Sequence, residues 1–128
     1  MAFKLCQSDI YSTYPLEYLL PTANEAFEVG EACVLSGGKL TKCGAAVVPA
    51  YITMGKTAAG ADKVPCIRVQ KTQVFETTFS AAPTDLTAGN KVTLHTDGLQ
   101  VTATTTSGVA EIVEIGGTAA GSMAKVRF

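Results

Sequence analysis

The sequence predicts an all-β protein: a small β-barrel or sandwich built from two repeated units of about four short strands, preceded by an extended N-terminal arm. Turn signals such as "SGGK", "TAGN" and "TDG" recur at short intervals from Phe27 onward, with β-prone runs between them. No stretch keeps the apolar spacing of a helix over a helix's length. The third observation is that two parts of the chain resemble each other, which indicates an internal duplication.

The first residues, 1–27, differ in composition from the rest of the chain. They contain three of the four tyrosines and the prolines Pro15 and Pro21. Because proline fixes φ and removes a backbone donor, a long helix across this segment is disfavoured. We therefore expect an arm that is mostly extended. A first strand and loop of the core is the alternative.

The duplication is clearest in a turn that occurs twice. "TAAG" stands at Thr57–Gly60 and again at Thr118–Gly121, each time after an apolar strand that follows a glycine. A closing strand follows each turn, with the sequences "KVPCIRV" and "AKVRF". Two copies of one unit therefore occupy residues 28–69 and 87–128.

The two units are expected to form one domain over residues 28–128. A single unit would expose an apolar face and free strand edges, and packing two units together covers both. The connecting segment, residues 70–86, contains "TQVFETTFS". If this run is a strand, Phe75 and Phe79 point to the same side, so we expect it to complete the barrel.

One hairpin can be placed residue by residue. "KVTLHT" and "LQVTAT" flank Asp97-Gly98, a strong signal for a two-residue turn. This turn pairs Leu94 with Val101 on an apolar face and His95 with Gln100 on a polar face. The apolar face also pairs Val92 with Ala103, and the polar face also pairs Thr93 with Thr102. The only histidine is therefore predicted to be a solvated cross-strand partner and not a ligand.

The stretch "MGKTAAG" contains a Gly-Lys-Thr that resembles the end of a phosphate-binding loop. Such a loop needs a glycine five residues before Gly55, where this chain has Ala50, and a helix after it. The second copy, "IGGTAAG", has Gly117 where the first has Lys56. The stretch is therefore predicted to be a structural turn that the fold uses twice.

The four cysteines are Cys6, Cys33, Cys43 and Cys66, and none forms a C-x-x-C pair. With a single histidine in the chain, a structural zinc site is not expected. We predict free, mostly buried thiols in a reducing compartment. A disulfide between Cys33 and Cys43, across one turn, is the alternative.

Composition excludes several classes of function. Charged residues make up 16% of the chain and the net charge is −1, without the clustered Lys/Arg excess of a nucleic-acid-binding surface. No apolar run approaches the ~20 residues of a membrane span, and the N-terminal sequence lacks the apolar region of a signal peptide. No Ser-His-Asp set and no calcium loop is visible. We expect a cytosolic, non-enzymatic protein without metal or cofactor.

The order of motifs resembles that of the small β-barrel capsid decoration, or cement, proteins of tailed bacteriophages. "EVGEACVL" resembles the start of their barrel, and "QVFETTF" resembles their central strand. "TAGNKVTLHTDGLQVT" is similar to their hairpin, and the final "KVRF" is similar to their closing strand. The resemblance covers residues 28–128.

The resemblance implies a structural virion protein, made in the cytoplasm of the host bacterium. It would bind the outer surface of the mature phage head and clamp subunits of the major capsid protein, with a homotrimer as the implied oligomer. We hypothesise that the arm adds an extended segment to a capsid sheet edge. The alternative function is a carbohydrate- or host-surface-binding β module. The proposed capsid-binding residues are Tyr11, Tyr14, Leu16, Tyr18, Leu19 and Leu20.

Overall fold

A computed structural model describes residues 2–8 and 15–128. Over these residues the chain is all-β, with ten strands and no helix, as the turn spacing predicted. The described part contains no helix long and apolar enough to span a membrane. The strands are β1 (Lys4–Ser8), β2 (Glu17–Leu19), β3 (Ala32–Ser36), β4 (Lys39–Lys42), β5 (Tyr51–Thr53), β6 (Val64–Arg68), β7 (Gln73–Thr78), β8 (Lys91–Val92), β9 (Ala110–Ile115) and β10 (Met123–Arg127).

The strands form two antiparallel sheets of five strands each. Sheet I has the order β2-β6-β5-β3-β4, and sheet II has the order β1-β7-β10-β9-β8. The sheets are not closed into a barrel and are compatible with a β-sandwich. Of the two architectures that the sequence left open, the sandwich therefore describes the molecule.

Each repeated unit contributes the larger part of one sheet. The first unit forms β3 to β6 of sheet I, and the second forms β8 to β10 of sheet II. In both sheets the closing strand pairs with the strand that precedes the unit, β2 with β6 and β7 with β10. The two "TAAG" turns also match, because Gly60 and Gly121 have φ angles of +86° and +88°. A side chain is strained in this left-handed region, so both turns require glycine.

The segment that connects the units contains a strand, but this strand does not complete a barrel, because the two sheets remain open. The strand is β7, which pairs with β10 on one side and with β1 on the other. Phe75 and Phe79 are both fully buried in the core. The alternation of a strand therefore places both rings on one side of β7, as the sequence indicated.

The described residues of the N-terminal segment are extended and belong to the core. β1 pairs with β7 in sheet II, and β2 pairs with β6 in sheet I. The buried ring of Phe3 meets Phe75 edge to face, with 6.5 Å between the ring centroids. These residues thus follow the alternative that the sequence left open, in which the segment supplies first strands of the core.

The core consists of two apolar clusters. The larger draws side chains from both sheets, including Ile52 and Ile67 of sheet I and Phe75 and Ile112 of sheet II. The smaller consists of sheet I side chains around Phe27. Sheet I therefore buries apolar side chains on both of its faces, which explains why its strands do not show a simple alternation of apolar and polar residues.

The predicted hairpin has the predicted register only near its turn. Further out the Thr93 amide donates to the Thr104 carbonyl at 3.0 Å, and Val92 pairs with Ala110 of β9 in place of the predicted Ala103. Leu94 bridges Val101, and the His95 amide donates to the Gln100 carbonyl at 2.9 Å. On the polar face the hydroxyls of Thr93 and Thr102 are 2.7 Å apart. His95 is partly exposed, and its Nδ1 accepts a hydrogen bond from the amide of Asp97, two residues along the chain.

The four cysteines, all within the described residues, are free thiols. Cys33 lies in the smaller apolar cluster and Cys43 in the larger one. The two side chains therefore lie in different parts of the core. The alternative of a disulfide between them is wrong.

We expect native protein to react with one equivalent of a thiol reagent. Cys6 is exposed on the edge strand β1, whereas Cys33, Cys43 and Cys66 are buried. Reaction requires access and a thiolate, and burial removes both. Titration with a chromogenic disulfide should give one fast thiol in buffer and four in denaturant, and Cys6→Ser should abolish the fast reaction. Fast reaction of a second thiol in the native state would contradict this structure.

Candidate functional site

A row of exposed apolar side chains follows β2. Leu16, Tyr18 and Leu20 are 43%, 61% and 47% exposed. Successive side chains of a strand point to opposite faces, so these three share one face, and Glu17 and Leu19 share the other. Leu19 packs against the smaller apolar cluster.

Of the six predicted contact residues, the structure thus brings together Leu16, Tyr18 and Leu20. Leu19 is directed into the core, which corrects its assignment to the contact surface. Tyr11 and Tyr14 lie outside the described residues.

The row continues across the neighbouring strands. Tyr18 lies opposite Pro65 of β6, and the amide of Met54 donates to the Pro65 carbonyl at 2.8 Å. Residues opposite each other in antiparallel strands have side chains on the same face. Met54 is 45% exposed. We call the surface formed by Leu16, Tyr18, Leu20, Met54 and Pro65 the β2 patch.

β2 is an edge strand, and its counterpart in sheet II is not. β7, which stands before the second unit as β2 stands before the first, is covered on its outer side by β1. Among the residues that the structure describes, no strand pairs with the outer side of β2. The two halves of the molecule therefore differ at this edge.

The other edges carry features that discourage further strand pairing. β1 carries Lys4 and an irregular register between Leu5 and Gln7, β4 carries Lys39 and Lys42 at its ends, and β8 has two residues including Lys91. Lysines, bulges and short strands are the usual protections of an edge strand. Residues 15–21, around β2, contain no Lys or Arg. Prolines stand near both ends of the β2 edge, at Pro15 and Pro21, and just beyond β2 the Leu40 amide of β4 donates to the Leu20 carbonyl at 2.8 Å. Between these points the β2 edge is short, mostly apolar and without positive charge.

A polar cluster on the opposite face holds β2 in place. The Glu17 carboxylate accepts hydrogen bonds from Arg68 Nε at 3.0 Å and Nη2 at 3.1 Å, and from the Tyr51 hydroxyl at 3.3 Å. The Arg68 guanidinium beside Glu17 lowers the pKa of that carboxyl. Since such forked ion pairs fix geometry, the cluster orients β2 and therefore the β2 patch.

A second polar cluster fixes the backbone directly before β3 of sheet I. Glu31 is 2% exposed, and its carboxylate accepts hydrogen bonds from Lys42 Nζ at 2.7 Å and from the Glu28 amide at 3.1 Å. Lys42 also stands 5.3 Å from the centre of the Phe27 ring. This buried carboxylate is fully engaged by its neighbours and has a structural role.

The described residues offer little for chemistry. No group of three or more His, Cys, Asp or Glu side chains that could hold a metal is found in residues 2–8 and 15–128. Burial raises the pKa of the Cys43 thiol to about 11 and that of Cys66 to about 12, so neither provides a thiolate near neutral pH. Lys56 of the "GKT" turn is exposed, and its Nζ forms an ion pair with Glu28 Oε1 at 3.6 Å. The most distinctive site is therefore a contact surface, the β2 patch.

Sequence reasoning found three residues of the β2 patch and missed two. Pro65 joins the patch through the pairing of β2 with β6, and Met54 through the pairing of β5 with β6. Neither pairing is visible in the local sequence. Had residues 16–20 been treated as a strand, the alternation of its side chains would have placed Leu19 on the opposite face from Leu16, Tyr18 and Leu20. In comparison with known proteins, the chain matches no family model and no curated protein.

Proposed function

We propose that this protein is a structural virion protein of a tailed bacteriophage. It binds the outer surface of the mature head and stabilises the head by clamping subunits of the major capsid protein. The observation that carries this proposal is the β2 patch, an apolar surface on the sheet edge that, among the edge strands described, has no positively charged residue. Contiguous exposed apolar surface of this kind is typical of protein contacts.

Thermodynamic linkage explains how such binding would stabilise a capsid. A ligand that binds only the mature lattice stabilises it by RT ln(1 + [L]/Kd), and occupancy of many equivalent sites multiplies this effect. A standard interface buries ~800 Å² on each partner. This is a small share of the 6482 Å² of accessible surface, so one face of the molecule is sufficient.

Tyr18 is the expected centre of the contact. It is the most exposed residue of the patch, and Leu16 and Leu20 flank it along the strand. Tyrosine provides a large contact area with few rotatable bonds and a hydroxyl for a hydrogen bond, and it is enriched among the residues that dominate interface energies. A homotrimer, as the resemblance implies, would present three such patches to the lattice.

Replacement of Tyr18 by alanine is expected to weaken binding to expanded, undecorated heads about tenfold to a hundredfold, the loss typical of a central interface residue. Binding would be measured by co-sedimentation of purified protein with heads. Leu35→Ser is the matched control, because Leu35 is 44% exposed and lies on β3, outside the patch. Both variants should unfold at the wild-type temperature, since they alter exposed side chains. Full occupancy of heads by the Tyr18→Ala protein at wild-type concentrations would refute the assignment of the patch.

The competing function, binding to a carbohydrate or host surface, makes a different prediction. Sugar platforms commonly use several exposed aromatic rings, and Tyr18 is the one exposed aromatic residue among those described. The chain has no tryptophan. A glycan array tests this function directly. Specific glycan binding without any binding to heads would replace the proposed function with this one.

A further inference from the structure

A groove that shares no residue with the β2 patch lies where loops from both sheets meet. Its floor is apolar and consists of Val48, Val69, Val109 and Phe128. Val48 belongs to the β4–β5 connection, Val69 to the β6–β7 turn, and Val109 directly precedes β9. The groove has a volume of about 410 Å³, within the range of pockets that bind small groups. We call it the basic groove.

Two lysines line the groove. Lys71 and Lys91 are both exposed, and neither forms an ion pair with another residue in the part of the chain that the structure describes. An adjoining recess of about 250 Å³ contains the same two lysines together with Arg127, whose Nε is 3.6 Å from Glu111. Glu111 also lines this recess and lies opposite Lys91 in the pairing of β8 with β9. Three positively charged side chains thus face one carboxylate side chain, which leaves an excess of positive charge on a chain whose net charge is −1.

The wall of the groove is formed before any ligand arrives. Gly108 packs directly against the backbone of Lys91 and Val92, so closely that a β-carbon at Gly108 would overlap the Lys91 carbonyl. The amide of Val109 donates to the Val92 carbonyl at 3.0 Å. Because these contacts fix the β8 edge, a ligand does not have to order this side of the groove, which favours affinity.

We propose that the basic groove binds an acidic peptide segment of a partner protein. An apolar side chain of the segment occupies the floor, and acidic side chains on either side approach Lys71 and Lys91. Charge complementarity selects an acidic partner, and the apolar floor selects a segment that has an apolar residue between the acidic ones. Small inorganic anions are bound by converging N–H groups or arginine forks, and the floor supplies neither.

The test uses the full chain and a blocked peptide, acetyl-Glu-Glu-Leu-Phe-Glu-Glu-amide. Titration followed by ¹H–¹⁵N NMR should move the amide signals of Gln70, Lys91 and Val109. The double variant Lys71→Glu/Lys91→Glu should bind at least tenfold more weakly, because two attractive charge pairs become repulsive. The control Lys39→Glu/Lys63→Glu has the same net charge, alters exposed lysines outside the groove, and should bind like the wild type.

Further measurements separate a peptide site from general attraction of anions. Val48→Ser, at a floor residue that is 54% exposed, should weaken peptide binding a few-fold without affecting the fold. A peptide with Gln for Glu should bind at least tenfold more weakly than the acidic one. Equal loss in both lysine double variants, equal binding of the neutral peptide, or saturation of the groove by inorganic phosphate alone would each overturn the proposal. These outcomes do not depend on capsid binding, so they test the basic groove independently of the proposed function.

Discussion

Replacing Lys42 by methionine is expected to lower the free energy of unfolding by about 3 kcal/mol, the lower end of the cost of breaking a buried ion pair. The Glu31 carboxylate is 2% exposed, and Lys42 is its only cationic partner among the described residues. Without the ammonium group this charge stays buried and keeps one backbone hydrogen bond, from Glu28. We expect a loss at the lower end of this range because the Lys42 side chain is 51% exposed. Water can therefore partly solvate the Glu31 carboxylate once the ammonium group is gone.

Urea unfolding monitored by circular dichroism would measure this loss. Lys39→Met is the matched control, since Lys39 is an exposed lysine at the other end of β4 without an ion pair among the described residues, and it should change stability by less than about 0.5 kcal/mol. Adding Glu31→Gln to Lys42→Met should recover part of the loss, because the buried charge is removed. Equal stability of the Lys42→Met and Lys39→Met proteins would show that Glu31 does not depend on Lys42.

Local signals in the sequence were enough to predict much of the fold. The Asp97-Gly98 signal correctly indicated a hairpin at this place and the pairs Leu94–Val101 and His95–Gln100. The turn is closed by the Gly98 amide, which donates to the His95 carbonyl at 3.0 Å. The glycines of the two "TAAG" turns, Gly60 and Gly121, share a left-handed conformation that the repeat indicated. Such features depend on neighbours in the chain, and neighbours in the chain are visible in the sequence.

The features that the sequence did not reveal depend on distant partners. β1 pairs with β7, more than sixty residues further along the chain, so the role of the N-terminal segment could not be deduced from its own composition. Glu31 looked like any other acidic residue: Lys42 is only eleven residues away on the β3–β4 hairpin, but the packing that buries the Glu31 carboxylate is not visible in the local sequence. The basic groove likewise combines loops that are far apart in sequence, among them Val48 and Val109.

Raising the pH above about 9 is expected to destabilise the protein steeply because three buried thiols resist ionisation. Burial raises the pKa of Cys43 from 9.0 to about 11 and that of Cys66 to about 12, and raises the pKa of Cys33 further. Above pH 9.0 the unfolded chain releases three protons that the folded chain retains. The folded state then binds more protons, so stability falls with pH, by roughly 4 kcal/mol per pH unit where the difference is complete.

The thiol contribution is thus fully present below pH 9.0 and is lost as the pH rises towards about 11 for Cys43 and about 12 for Cys66. Urea unfolding at a series of pH values from 7 to 10.5 would measure the slope. Cys66→Ala should make the part of the slope due to thiols about one third less steep, since one of three retained protons is removed. Cys6→Ser should reduce the slope less than Cys66→Ala does, because partial burial raises the pKa of Cys6 although this thiol lies on an exposed residue.

A Cys66→Ala slope equal to that of the wild type would mean that the thiol at this position ionises in the folded protein, which requires access of water to the smaller apolar cluster. That cluster lies under the face of sheet I to which Leu19 of β2 is packed. An open cluster would therefore also leave β2 loosely held and the β2 patch poorly defined. Alkaline stability thus tests, without a binding partner, whether the surface proposed to contact the capsid rests on a closed core.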